Sequence, residues 1–358
     1  MNKRYCGIVL IAAMMAGCSA GMVRPFADPR GAAATDPRVA SDAGDPGCAV
    51  PTLVSTGGPF PRDPATLAVR WTGYANFELV YNGQILLLDT YFDRGDWFPP
   101  LGFKAADVKR ADVILLGHGH VDHMSDAASV GARTGAVVVG APVTTEKLLT
   151  QAIDPKQVRT VTGRGGEVLQ FKGYKVEAIL GRHGEPSTTV TEAFEHALKS
   201  VAQPLTAEQV AEQAAIRQRG LRGDARVVTE GTIAFLITLD NGFRIMFRDS
   251  GGAVTDYEKA AMERVGRVDL ALVAVSAAFL QTLTVPRALE HMRAYKPDVY
   301  MPAHHDGPYN NLWRPTEPLF QALKDEKPQL VTVSKNYREP VCFNTEYNIE
   351  RERRGARP

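Results

Sequence analysis

Two stretches of the chain are patterned alike. The first holds Leu67 to Trp71 and Asn76 to Tyr81, runs rich in β-branched and aromatic residues. Asn82-Gly83 then supplies a hairpin turn, and Ile85 to Leu88 returns and ends at Asp89. The second holds Thr232 to Leu239, a turn at Asn241-Gly242, and Arg244 to Phe247 leading to Asp249. Each copy is followed by a continuous apolar run, Asp112 to Leu116 and Asp269 to Val275, whose lack of alternation predicts a strand covered on both faces. A pattern written twice predicts two similar halves with a site between them.

Between the copies, Ala136 to Gly140 reads as a strand and Val143 to Ile153 as a helix. Glu167 to Phe171 and Tyr174 to Leu180 form a hairpin turning at Lys172-Gly173 and running into His183. Glu192 to Arg219 carries Ala, Leu, Gln and Glu with no strand pattern, so it predicts a helical insertion, spanning about residues 187–225. Lying beside His183, the insertion is either a lid or a solvated decoration. In the second half, Tyr257 to Val265 is a helix, and Val285 to Tyr295 is another, with Thr284 as its cap and Pro286 in its first turn. Val299 to Met301, a helix around Leu319 to Asp325 and the strand Leu330 to Val333 follow.

Lys3 and Arg4 precede an apolar run, Ile8 to Met15, too short to span a bilayer, which marks residues 1–17 as a secretory signal. Met15-Ala16-Gly17-Cys18 resembles a bacterial lipoprotein box, with Cys18 as the acylated first residue; cleavage after Ala20 is the alternative. Acyl chains on Cys18 would hold the protein on a membrane, at about 0.8 kcal/mol for each buried methylene. Ser19, by resemblance to lipoprotein sorting, suggests the outer membrane facing the periplasm. Residues 18–65, rich in Pro, Gly, Ala and Asp, read as a flexible tether, and residues 341–358 as a tail, leaving 66–340 as the folded domain. Export permits Cys48 and Cys342 to pair, and both the paired and the unpaired state stay open. The net charge of +1 provides no basic face, so no nucleic-acid partner is expected.

The chemistry concentrates in His118-Gly119-His120-Val121-Asp122-His123, directly after the buried run Asp112 to Leu116. Residues two apart in an extended segment point the same way, so His118 and His120 can grip one metal while Asp122 and His123 turn toward a second. Imidazole and carboxylate donors suit zinc and its first-row neighbours, and this density is unusual in a chain with 8 histidines. A solvated polar turn would need no such set.

Following that strand, His118-x-His120-x-Asp122-His123 resembles the metal-binding signature of the metallo-β-lactamase superfamily, over roughly Leu67 to Arg338. The resemblance implies an α/β fold, a four-layer αββα sandwich, here with a helical insertion. It further implies His183 as the third ligand of the first ion, Asp249 as a carboxylate bridging both ions, and His304, with His305 as competitor, as the last ligand of the second. Asp89 would accept a hydrogen bond from a ligand histidine and fix its tautomer. Tyr74 is a departure, because the resembled sequences often carry Gly-His where this chain has Gly73-Tyr74. His196 and His291 lie in helical stretches and read as surface or packing residues.

Two divalent ions, zinc or manganese, roughly 3.5–4 Å apart, would share a hydroxide and clamp the oxygens of a displacement, with Asp122 orienting it and passing a proton to the leaving group. Around Trp71-Thr72-Gly73 and Leu88-Asp89-Thr90-Tyr91, the chain looks most like ascorbate-6-phosphate lactonases and N-acylphosphatidylethanolamine phospholipase D. That likeness implies a small-molecule or lipid-derived substrate, as a phosphodiester or phosphorylated compound. A lactone or other ester is the alternative, and a metal-bearing surface lipoprotein without turnover is the rival of a different class.

Overall fold

The structure, a computed structural model, describes residues 39–40, 44–96, 98–184, 205–221, 224–275, 281–306 and 316–347. The signal, Cys18, His196 and residues 185–204 of the insertion lie outside them.

Short strands in the sequence become two sheets. The first contains β1 (Val39–Ala40), β2 (Thr66–Trp71), β3 (Phe77–Tyr81), β4 (Gln84–Leu88), β5 (Val113–Leu115), β6 (Val137–Gly140) and β7 (Val158–Thr160), and is completed by the last strand, β15 (Pro340–Asn344). Its order is β1-β15-β2-β3-β4-β5-β6-β7. The second contains β8 (Val168–Phe171), β9 (Tyr174–Leu180), β10 (Ile233–Leu239), β11 (Arg244–Arg248), β12 (Leu270–Ala274), β13 (Val299–Ala303) and β14 (Val331–Thr332), in the order β14-β13-β12-β11-β10-β9-β8.

The repeat seen in the sequence is a repeat of topology. In each half an antiparallel hairpin, β3–β4 or β10–β11, passes into a run of parallel pairs, β4 to β7 or β11 to β14. Alternate residues of each strand then fill different cores. Leu67, Val69, Leu86, Leu88, Phe235 and Ile237 meet between the sheets. Ala68, Ile85, Leu87 and Ile114 pack outward under α3 (Ala127–Thr134) and α4 (Pro142–Leu149). Ala234, Leu236, Ala271 and Val273 pack outward under α5 (Asp256–Val265), α6 (Gln281–Tyr295) and α7 (Glu317–Glu326). Sheets covered on both faces explain the unbroken apolar runs, and the result is the expected αββα sandwich.

The domain is larger at both ends than its composition suggests. The expected tail begins inside β15, which lies between β1 and β2 with Phe343 fully buried, so the boundary at 340 is wrong. The expected tether 18–65 is likewise folded from residue 44 onward. Asp45 caps α1 (Pro46–Ala49) by accepting from Gly47 N–H at 2.8 Å, and its other oxygen accepts from Arg62 N–H. Glu78, fully buried beside Arg70 at 3.5 Å, accepts from the N–H groups of Val54 and Ser55 at 2.9 and 2.8 Å. A disulfide joins Cys48 to Cys342, settling the open pairing. Polar main-chain bonds and one covalent link hold this segment, and neither leaves a hydrophobic period to read. The helix expected from Val285 begins at Gln281, so Thr284 is not its cap and Pro286 lies in its interior, at the cost of one main-chain hydrogen bond. Among the described residues no helix is long and apolar enough to cross a membrane.

Candidate metal centre

The site forms because several strands end at one edge. β5 delivers His118 and His120, β9 delivers His183, β11 delivers Asp249 and β13 delivers His304, each just past its strand's carboxyl end. His120 is extended, and one helical turn, α2 (Val121–Met124), then swings Asp122 and His123 across. Gly117 is required here, because a Cβ would lie 2.1 Å from Cγ of Asp249.

Three overlapping trios result, His118-His120-His183, His118-His123-Asp249 and Asp122-His123-His304, with the donor atoms of each within 4.8 Å of one another. His118 Nε2 faces His120 Nδ1 at 3.1 Å, and the His183 ring stands edge-on to both at 4.8 and 4.7 Å. In the third trio, Asp122 Oδ2 lies 3.2 Å from His304 Nε2 and 3.5 Å from His123 Nε2. All seven residues expected as ligands are thus brought together. His305 is not with them: it is buried and stacks on Trp71 at 4.3 Å, so His304 is the one that faces the cluster.

Carboxylates behind the histidines fix their orientation. Asp89 Oδ2 accepts from His123 Nδ1 at 2.7 Å, the role expected of it, and its Oδ1 accepts from Gly117 N–H at 2.9 Å. Asp249, expected as a bridge between ions, has its Oδ2 2.5 Å from His118 Nδ1, while its Oδ1 is buried with no hydrogen-bond partner among the described residues.

The electrostatics call for cations. Burial, then the neighbouring imidazoles, push His118 well below its ordinary value, and burial, then His120, pushes His183 down to about 4, so both are neutral donors. Burial, then Asp249, raises Asp89 to about 7, and burial raises Asp249. Burial opposes a charge on His123, yet Asp122, Asp89 and Asp249 outweigh it and hold its pKa well above the usual value. Neutral imidazoles, converging acids and an unpartnered carboxylate oxygen make a donor set that fits divalent metal ions.

Sequence reasoning missed three parts of the surroundings. The end of the helical insertion is docked on the motif: Leu221 N–H donates to Gly119 O at 2.7 Å, Leu221 bridges to His120, and Arg219 pairs with buried Asp126 at 3.1 Å. That end is therefore no solvated decoration. Arg248, between Phe247 and Asp249, is buried at the end of β11, and a charge closing an apolar strand was its available signal. Tyr74 flanks His304, its ring 4.6 Å from the imidazole, and Tyr91 stands behind it, 5.4 Å from Tyr74. His291 is a packing residue, fully buried with Nε2 2.9 Å from Gly252 O.

A family model for the β-lactamase superfamily domain matches residues 84–305. A UPF0173 metal-dependent hydrolase of Polynucleobacter asymbioticus is 24% identical over 262 residues, covering 70% of this chain and 78% of that protein. A namesake from Thermoplasma acidophilum is 24% identical over 240 residues, covering 67% of this chain and 84% of its own length. A shorter match, to the Methanopyrus kandleri protein of that name, is 35% identical over 74 residues, or 21% of this chain and 30% of that one. Among solved structures, a metallo-hydrolase of Ignicoccus hospitalis aligns with a TM-score of 0.53 at 14% identity, over 78% of this chain and 98% of that one, a likeness of fold.

Proposed function

The chain belongs to the β-lactamase superfamily as a metal-dependent hydrolase, and on that premise we propose that it holds two divalent ions and hydrolyses a phosphodiester or a phosphorylated small molecule. The observation that carries this is the chaining of the trios, in which Asp249 lies against His118 of one set and His123 of the other. Seven donors exceed what one tetrahedral zinc takes. His118, His120 and His183 would hold one ion, Asp122, His123 and His304 the other, and Asp249 would reach both through its free Oδ1. When bound, zinc or manganese would supply Lewis acidity and an activated water at neutral pH.

The protein's own groups do the rest. His123 and His304 outweigh burial and hold Asp122 well below the usual carboxylate range, so it enters the reaction ionised and able to accept a proton and return it to the leaving oxygen. Asp89 keeps His123 presenting Nε2 toward Asp122. The docked end of the insertion holds the backbone of Gly119 and His120 in place.

Elemental analysis after metal loading, beside assays with an aryl phosphodiester, a lactone and a β-lactam, tests the reading. Two ions per chain with diester or lactone turnover support it, and His120→Ala should abolish both binding at the first trio and turnover. One ion or none, or efficient β-lactam turnover without the others, overturns it. We further propose that the enzyme works in the cell envelope, tethered by a lipid on Cys18; the disulfide supports an oxidising compartment.

A further inference from the structure

We infer that Tyr74 and Tyr91 are catalytic residues, a pair of hydroxyl donors that bind an anionic oxygen of the substrate beside the Asp122-His123-His304 trio. The inference rests on the hydrolase reading above and adds the side of the site that holds substrate. Tyr74 stands edge-on to His304, their ring centres 4.6 Å apart, and His304 Nε2 lies 3.2 Å from Asp122 Oδ2. Tyr91 meets Tyr74 edge-on at 5.4 Å, and both hydroxyls lie within electrostatic reach of the Asp122 carboxylate.

The backbone is forced into place to present them. Tyr74 has φ of 49°, a left-handed conformation that a bulky aromatic residue adopts only when its surroundings impose it. Three bonds impose it here. Tyr74 N–H donates to Asp306 Oδ1 at 2.8 Å, and Tyr74 O accepts from Trp71 Nε1 and from His304 N–H, each at 2.7 Å. Asp306 is itself fixed by Arg94 at 3.0 Å and by the Tyr337 hydroxyl at 2.6 Å. Tyr91 N–H donates to Asn76 Oδ1 at 2.9 Å.

The hydroxyls are left unused by all this. Neither Tyr74 nor Tyr91 hydrogen-bonds through its hydroxyl to any described residue, whereas the hydroxyls of Tyr81, Tyr295 and Tyr337 bond to Asp240, Glu258 and Asp306. A tyrosine carried against a metal centre in a strained backbone, with its polar tip unspent, is arranged to meet something that arrives from solution. Two adjacent donors suit an oxygen bearing charge, on a phosphoryl group or on a carboxylate.

Tyr74→Phe, Tyr91→Phe and the double variant, each loaded with metal beside the parent protein, test this. Four quantities are measured: metal content, the dissociation constant for inorganic phosphate, and kcat and KM for bis(p-nitrophenyl) phosphate. Each single variant should keep the parent's metal content, bind phosphate about tenfold more weakly, and lose about 10²-fold in kcat, the scale of a lost oxyanion donor. A double variant whose phosphate affinity and kcat stay within twofold of the parent overturns the inference, as does a variant whose losses follow metal content. If the parent with two ions neither binds phosphate nor cleaves the diester, the phosphodiester reading falls by itself. The tyrosines are then judged by the same ratios on γ-butyrolactone and its product carboxylate.

Discussion

Replacing Arg248 by methionine should destabilise the metal-free protein by about 3–5 kcal/mol, the usual loss when one partner of a buried ion pair is removed. The side chain is 1% exposed and its guanidinium is fully used. Nη1 pairs with Glu258, itself wholly buried, and Nε donates to Ser250 O at 2.9 Å. Nη2 reaches Arg182 O at 2.8 Å, Gly252 O at 3.0 Å and Ala253 O at 3.1 Å. Methionine would fill the volume of the stem and remove the guanidinium bonds from four carbonyls and a carboxylate, of which Gly252 O would keep only His291 Nε2. Glu258 would keep only the Tyr295 hydroxyl at 2.5 Å and Thr255 N–H at 2.7 Å. Arg182 and Ser250 adjoin His183 and Asp249, so the same change should loosen both loops that carry candidate ligands.

Urea unfolding of metal-free, disulfide-intact protein measures the first effect, and the melting temperature should drop by about 6–10 °C at roughly 2 °C per kcal/mol. A cycle with Glu258→Gln isolates the pair, and a coupling of about 1–3 kcal/mol is expected. A loss below about 1 kcal/mol, or strict additivity with Glu258→Gln, would show that water replaces the guanidinium and would refute the reasoning.

Three other outcomes follow from particular bonds. The disulfide between Cys48 and Cys342 closes a loop with a sequence separation of 294, so Cys48→Ser should cost up to about 5–6 kcal/mol by the chain-entropy estimate; an unfolding curve unmoved by reductant would exclude that. Burial, then Arg248, holds His291 well below 6.5, and burial holds His305 at about 4, so the unfolded chain binds protons that these folded sites refuse. Their contribution to stability is complete above pH 6.5 and is lost as pH falls toward about 4. His291→Gln, which keeps a donor for Gly252, should flatten that decline in metal-free protein, and an unchanged slope counts against it. Cys18→Ala should release the protein from membranes or block its processing, and a mature variant that still fractionates with membranes disposes of the lipid anchor.

What the sequence made legible is what apolar periodicity and short-range spacing encode. Strands such as Tyr174–Leu180 are bounded in the structure as their pattern predicts, and the duplicated hairpins predict the two half-sandwiches. His118, His120, Asp122 and His123 were legible as a dense donor cluster after a buried strand, and His183, Asp249 and His304 through the family resemblance, at positions where strands end. Residues 44–65 were not, since their order comes from Asp45 bonding to the main chain of Arg62 and from Arg70 and Glu78 bonding to main chain more than 20 residues away, which leaves no period. Composition rich in Pro and Gly describes how a segment behaves without partners, and this one has them. The sequence marked Tyr74 as a departure, but the same limit hid what it and Tyr91 do: a strained φ and an unspent hydroxyl are properties of packing, invisible until Asp306, Trp71 and Asn76 are in place.

The duplication also explains why two carboxylates stand behind the motif and why only one of them has an oxygen free for an ion. Asp89 and Asp249 occupy equivalent places, each just past the second strand of its half's hairpin and beside the next, parallel strand. Each accepts from Nδ1 of one motif histidine, Asp89 from His123 at 2.7 Å and Asp249 from His118 at 2.5 Å. Each half therefore orients the histidine of one outer trio, and together they aim both Nε2 atoms toward the donors in front. The equivalence ends at the other oxygen. In the first half Gly117 N–H lies 2.9 Å from Asp89 Oδ1 and consumes it. In the second half Arg248 bonds the carbonyls of Ser250, Gly252 and Ala253 beyond Asp249, and among the described residues no donor reaches the buried Asp249 Oδ1. A buried anionic oxygen without a partner is costly unless a cation supplies it. The departure from symmetry thus marks the place between the outer trios where a positive charge belongs, and it does so on grounds of the fold alone.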